Sequence, residues 1–342
     1  HAMEIWQYIY EHDNGVTNFH FEISADILRE EEIALLNRFR PGLAQLEIGV
    51  QSTNPETIRA IHRVMDVDKL EKIVAAIHRG QNIHQHLDLI AGLPHEGYES
   101  FKKSFNDVYN LEPQQLQLGF LKLLKGSGLR MDAEKYGIVY ADEAPYEVLY
   151  TREMTFDEML RLKAVEEMVE TFYNSGKALT AVKYAVEIMG NPFGFFEDLS
   201  VWWEENGYDE ISHSKMELYE RLYEFFKGYS PTGHVLDNIR ELLRYDIYLG
   251  DNMKTIPESL KRQGDNDERG FERDFYTNRE NVEKYLPKLM EYSAKQLLRM
   301  CRIEFFDIDV YTKEKRKTAL LFNYYFRDTI LNKAEVSIVW KE

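Results

Sequence analysis

The chain has 342 residues, 44% of them hydrophobic and 30% charged, enough for one large domain or two medium ones with an ample core. A formal net charge of −17 argues against nucleic acid, whose phosphates require basic stripes, and equally against an anionic membrane surface. One cysteine, Cys301, excludes an internal disulfide and any cysteine-held cluster within this chain, and no apolar run reaches the ~18 residues of a membrane span. A small-molecule substrate in a reducing cytoplasm is the expected setting.

The opening His1-Ala2-Met3 has no charged or apolar signal character, and residues 4–9 already read as mid-helix, so an internal segment of a longer protein is expected. Phe19-His20-Phe21-Glu22-Ile23-Ser24 alternates as a strand, and residues 26–40 follow with helical spacing at Leu28, Ile33, Leu36 and Phe39. A second strand covers 45–51. Asn54-Pro55 then opens a helix, Asn as its cap and Pro at its first position. Residues 68–79 are helical up to Gly80, and 84–93 and 116–124 are strands with a helix around 98–109 between them. Strand–helix repetition of this kind means parallel strands joined by right-handed crossovers.

The strand faces differ. Leu46, Ile48 and Val50 point one way, and Gln45, Glu47, Gly49 and Gln51 the other; Leu87, Leu89 and Ala91 oppose His86, Asp88 and Ile90, and Leu118 and Phe120 oppose Gln117 and Gly119. A closed barrel fills its interior with branched aliphatics. Polar groups and glycine on one face predict instead an α/β fold built as an incomplete (β/α) barrel, helices outside and a ligand-holding interior, over residues 1–150.

Residues 151–342 read as a mostly helical domain ending in a small antiparallel sheet. Thr155-Phe156-Asp157-Glu158 is a capping box that opens a helix ending at Gly176. Helices are expected at 177–189, stopped by Gly190-Asn191-Pro192, then at 193–206, 213–228, 233–249 and 280–300, with 264–270 a polar surface loop. Strands close the chain at 303–311, 318–326 and 334–340, the first two joined by a basic turn at 312–316.

Three segments together resemble the radical S-adenosylmethionine superfamily: Phe21-Glu22-Ile23-Ser24-Ala25-Asp26; Leu46-Glu47-Ile48-Gly49-Val50-Gln51-Ser52 with Asn54-Pro55-Glu56-Thr57; and Asp88-Leu89-Ile90-Ala91-Gly92-Leu93-Pro94. Their order is that of the third to fifth strands of the superfamily's six-stranded partial barrel, with 117–122 as the sixth. The likeness is to oxygen-independent coproporphyrinogen oxidases and to cobalamin-binding radical enzymes of the magnesium-protoporphyrin ester oxidative cyclase type. The acidic, aromatic-rich remainder resembles an uncharacterised C-terminal domain of the latter. The family's cluster-binding cysteine loop has no counterpart here, so the resemblance implies a truncated chain, inactive as given, whose 4Fe–4S cluster and cobalamin belong to the full-length protein only.

The resemblance also implies ligand roles. Gln51 and Asp88 match residues that hydrogen-bond the ribose hydroxyls of S-adenosylmethionine, Glu22 a ligand of its amino group, and Arg63 a partner of its carboxylate. Gly92 opens the turn after the strand, where His95 stands near the family's usual glycine. No catalytic or metal-ligating residue is assigned. His20, His84 and His86 share inward faces and read as satisfied interior histidines, since no carboxylate partner is evident in the sequence, and Cys301 as a buried thiol. The rival reading is a non-catalytic binding or scaffold protein on a decayed barrel. Either way, the strand at 19–24 would form a sheet edge, covered by the helix at 4–11 or by a second copy in a homodimer.

Overall fold

A computed structural model describes residues 1–229, 233–262 and 266–342, apart from the side chains at 266, 267 and 269. In chain order the helices are α1 (Ala2–Glu11), α2 (Glu30–Leu36), α3 (Pro55–Ala60), α4 (Val67–His78), α5 (Tyr98–Tyr109), α6 (Gly128–Met131), α7 (Ala133–Tyr136), α8 (Phe156–Val169), α9 (Leu179–Met189), α10 (Pro192–Glu205), α11 (Lys215–Gly228), α12 (Gly233–Gly250), α13 (Asn266–Thr277), α14 (Arg279–Tyr285) and α15 (Ala294–Met300). The strands are β1 (Phe19–Ile23), β2 (Ala44–Gln51), β3 (His84–Ala91), β4 (Gln115–Phe120), the short pair β5 (Val139–Tyr140) and β6 (Val148–Tyr150), then β7 (Cys301–Phe306), β8 (Thr318–Arg327) and β9 (Ala334–Lys341).

The chain forms two compact units, residues 1–175 with 189–205, and residues 176–188 with 206–342. The first is built on a four-stranded sheet in the order β1-β2-β3-β4, parallel throughout. Alternation along the strands decides its two faces. Leu46, Ile48, Val50, Leu87, Leu89, Leu116 and Leu118 are buried, while Gln45, Glu47, Gly49, Gln51 and Asp88 stay partly open on the other side. Helix α4 lies on the apolar side, presenting Leu70, Ile73, Val74 and Ile77, and Gln85 Nε2 donates to its Val74 carbonyl at 3.2 Å. Helices α5 and α10 lock through aromatic edges, Phe105 meeting Phe193 and Phe196 with ring centroids 5.4 and 5.9 Å apart.

The Thr155 capping box forms as expected, but α8 passes into a π-turn at Glu170–Asn174. That turn aims Asn174 at the edge of β4. Its Oδ1 accepts from Leu116 N and its Nδ2 donates to Leu116 O, both at 2.9 Å, so a side-chain amide stands in for a neighbouring strand.

The second unit carries the antiparallel sheet β7-β8-β9. Its core gathers Phe275, Leu289, Leu297, Cys301, Ile303 and Leu321. Within α12 the pair Arg244–Glu241, 2.8 Å apart, is almost wholly buried, and Arg244 also donates to Phe305 O at 3.1 Å.

Several elements differ from the sequence reading. The stretch 26–40 is a 3₁₀ turn at Ala25–Ile27, an extended Leu28–Arg29 and the short α2, because Arg29 serves as its cap with Glu32 reaching back to Arg29 N. The expected helix 280–300 is broken at Pro287, which has no N–H to give, and Leu286 before it leaves the helical region at ψ 47. The loop expected at 264–270 is helical from Asn266, residues 264 and 265 lying outside the described residues; Phe271 and Phe275, one turn apart, pack the new helix into the core. Strand β7 stops at Phe306 rather than running to 311. Within the described residues, no helix is long and apolar enough to cross a membrane.

Candidate functional site

The polar face of the parallel sheet gathers most of the candidate residues. Gly49 on β2 is the register partner of Asp88 on β3, and Asp88 is the partner of Gln117 on β4. Between Gly49 and Gln51 the β2–β3 register slips, so that Gln51 faces Leu89 and one residue of β2 is extra. Gln51 itself has φ 71, a left-handed conformation that costs a non-glycine residue about 1–3 kcal/mol and persists only where its surroundings enforce it. The bulge swings its carboxamide back over the strand. A Cβ on Gly49 would collide with Gln51 Nε2 and stand 3.4 Å from Arg63 Nη1, so this glycine is the floor on which Gln51 and Arg63 converge.

Arg63 comes from the turn after α3, whose cap Asn54 accepts from Glu56 N at 2.9 Å as expected. Gln51, Arg63 and Asp88 are thus brought to one patch. Glu22 lies on β1, opposite Glu47, and is exposed. Gly92 has φ 87, and the space its missing Cβ leaves is taken by Val148 Cγ1, 2.7 Å from where that atom would be. Its role is therefore a packing turn behind the strand, besides whatever its backbone offers a ligand.

The interior histidines are not all satisfied, contrary to the sequence reading. His20 Nε2 lies 2.9 Å from Glu47 Oε2, and His86 Nε2 3.0 Å from Asp88 Oδ1, so carboxylate partners exist after all. In the second pair the ring N–H is not aligned on the oxygen: His86 Nε2, Asp88 Oδ1, His84 Nδ1 and Gln51 Oε1 are all buried without a hydrogen-bond partner in the protein. All four belong to the polar side of the sheet, and His86 Nε2 and Asp88 Oδ1 neighbour each other. Burial pulls the His84 pKa down, helped by the nearby His86 and His20 rings. Burial acts likewise on His86, but the Asp88 carboxylate and Glu47 outweigh it and leave its pKa raised. Among the described residues, no three His, Cys, Asp or Glu side chains are grouped to hold a metal.

Residues 134–322, more than half of the chain, match the family model described as "Protein of unknown function (DUF4080)". The chain belongs to this family. The DUF4080 chain is also 31% identical over 119 residues to the oxygen-independent coproporphyrinogen-III oxidase-like protein HemZ of Bacillus subtilis, a match covering 34% of this chain and 23% of that protein. The chain thus spans under a quarter of that relative's length. Among solved structures, the radical SAM coproporphyrinogen III oxidase HemN of Escherichia coli matches 34% of this chain and 27% of its own, at 22% identity and TM-score 0.30. The radical S-adenosylmethionine methyltransferase TsrM of Kitasatospora setae, solved with cobalamin and a 4Fe–4S cluster, matches 42% of this chain and 30% of its own, at 13% identity and TM-score 0.34. Over about a third of its length the DUF4080 chain is thus similar in sequence to oxygen-independent coproporphyrinogen-III oxidase-like proteins, the likeness its strand motifs imply.

Two contributors escaped the sequence reading. Gly49 was visible only as a glycine on the inward face. Glu96 carries no local signal, since its hydroxyl partners stand 44 and 8 residues away.

Proposed function

We propose that this chain is the C-terminal part of a radical S-adenosylmethionine enzyme and that its polar sheet face holds the nucleoside end of S-adenosylmethionine. The supporting observation is the convergence of Gln51 and Arg63 over Gly49, beside Asp88, with Gln51 Oε1 and Asp88 Oδ1 both buried and unpartnered. An amide and a carboxylate suit a diol, which offers donors and acceptors together. Arg63 suits the methionyl carboxylate, and Glu22 the amino group.

On this reading the parallel sheet and its helices are four βα units of an incomplete barrel, and the chain supplies substrate-facing surface besides the S-adenosylmethionine contacts. The boundary expected at 150 is replaced by two units that exchange segments, residues 151–175 and 189–205 belonging with the sheet. The sole cysteine, Cys301, is buried in β7 and its thiol is pushed up to about 12, so this chain has no residues to hold a 4Fe–4S cluster. Cluster, reductive cleavage and any cobalamin are assigned to segments of a longer cytoplasmic protein, whose substrate class of tetrapyrrole type rests on its relatives.

Calorimetric titration of the chain with S-adenosylmethionine tests the site. Weak saturable binding is expected, with Asp88→Ala lowering affinity by roughly 10- to 100-fold, the effect of losing hydrogen bonds to a charged group. Equal binding by Asp88→Ala, with a native melting curve, would return Asp88 to an interior polar role. A reading frame upstream of Glu4 that encodes three cysteines spaced Cys-x-x-x-Cys-x-x-Cys favours the enzyme; its absence favours a binding or scaffold protein.

A further inference from the structure

The turn that follows Gln51 is tied down by a carboxylate from beyond β3. Glu96 is fully buried. Its Oε1 accepts the Ser52 hydroxyl at 2.7 Å and the Ser104 hydroxyl of α5 at 2.9 Å, with Ser100 Oγ at 3.5 Å. Ser104 Oγ in turn accepts Thr53 N at 3.0 Å, and Ser52 Oγ accepts Asn54 N at 2.9 Å. Asn54 Nδ2 donates to His95 O at 2.9 Å, closing the ring between the β2 turn and the β3 turn. Every residue after Gln51 up to the α3 cap is thus held, directly or through one hydroxyl, by Glu96 or its own turn.

We propose that Glu96 is a positioning residue for Gln51: through the Ser52 hydroxyl it fixes the turn that keeps Gln51 left-handed and its carboxamide over Gly49. The inference rests on the reading of Gln51 as a ribose contact only for its consequence in ligand binding; the geometry stands without it. A buried acceptor that takes several hydroxyls grips harder ionised than neutral, because charge-assisted bonds are about twice as strong. Burial pushes the Glu96 carboxyl up to about 7 against the pull of the Ser52, Ser104 and Ser100 hydroxyls, so the grip changes near neutrality. The charged groups on the elements around it are engaged elsewhere. His95 lies 3.9 Å from Glu153, Asp107 on α5 accepts the Thr53 hydroxyl at 2.6 Å and the Lys103 ammonium at 2.6 Å, and Glu56 heads α3.

The experiment follows the chain from about pH 6 to about pH 8 as wild type, Glu96→Gln and Glu96→Ala. Two readouts are used: the amide resonances of Gln51 and Ser52 without ligand, and calorimetric affinity for S-adenosylmethionine. In the wild type both amides should shift with a midpoint near 7, and affinity should rise by roughly tenfold over the range. Glu96→Gln keeps the shape and one acceptor but cannot ionise, so the step near 7 in its Gln51 and Ser52 amides should be lost, leaving in its affinity only the pH change that His86 beside Asp88 contributes. Glu96→Ala should lose roughly tenfold at the upper pH. A step near 7 in the Gln51 and Ser52 amides that Glu96→Gln reproduces unchanged would overturn the inference, as would wild-type amides that ignore pH. Should the wild type fail to bind S-adenosylmethionine while its Gln51 and Ser52 amides titrate only when Glu96 is present, the nucleoside reading falls and the positioning role stands.

Discussion

His86 Nε2 and Asp88 Oδ1 stand 3.0 Å apart, two residues along one strand, with their side chains on the same face. The pair sets a sign for pH. Because the His86 pKa is raised in the folded chain, its contribution to stability is present below the ordinary imidazole value of about 6.5 and is lost as pH rises through the raised one. Ring-proton titration should place the His86 midpoint above 6.5 in the wild type. In Asp88→Asn the midpoint should fall, since burial then opposes the charge with Glu47 as its main remaining support. An unchanged midpoint would show that the pair does not interact.

Gly49→Ala is expected to impair ligand binding more than folding. The atoms the new methyl meets are the ends of two flexible side chains, Gln51 and Arg63, which can move aside without disturbing the strand. The melting temperature should shift by only a few degrees, about the effect of 1 kcal/mol. Affinity for S-adenosylmethionine should drop roughly tenfold, as the Gln51 carboxamide is pushed off the floor while Arg63, at ordinary contact distance, stays. A variant that binds like the wild type would place the ligand away from Gly49.

Anaerobic reconstitution with iron and sulfide should leave the chain without a four-iron cluster. Such clusters need several thiolates, and the one thiol here is buried and hard to ionise. Stoichiometric iron and sulfide with a charge-transfer absorbance would overturn both the assignment of the cluster to another segment and the reading of Cys301 as structural.

Strand β1 hydrogen-bonds to β2 on one side, and among the described residues no strand takes its other side. Trp6 of α1 packs on Phe21 with ring centroids 6.0 Å apart, covering the face of β1 rather than supplying a strand. An open edge with Phe19, Phe21 and Ile23 is a template for a second copy. Sedimentation equilibrium should show a homodimer that Phe21→Lys dissociates, with thermal melting as the control for folding. A wild-type monomer at all concentrations would show that the edge is tolerated unpaired.

The sequence by itself determined the elements whose signals are local. Alternation at 45–51 and 84–91 marked both the strands and their polar face, and the Thr155 and Asn54 caps marked where helices begin, because burial of one face and satisfaction of the first N–H groups are decided within a few residues. It also placed Gln51 and Asp88 on the same face, since side chains alternate with period two. What it could not decide depends on contacts between distant segments. The turn after the left-handed Gln51 is bonded through Ser52 to Glu96, from beyond β3. The meeting of Arg63 with Gln51 needs the return of the chain after α3, and the π-turn at Asn174 needs the edge of β4, 58 residues earlier. Helix α13 reads as a polar loop until Phe271 and Phe275 find the core of the second unit. In each case the local chain has a cheaper alternative, and only the hydrogen bonds or apolar burial gained across the fold outweigh it.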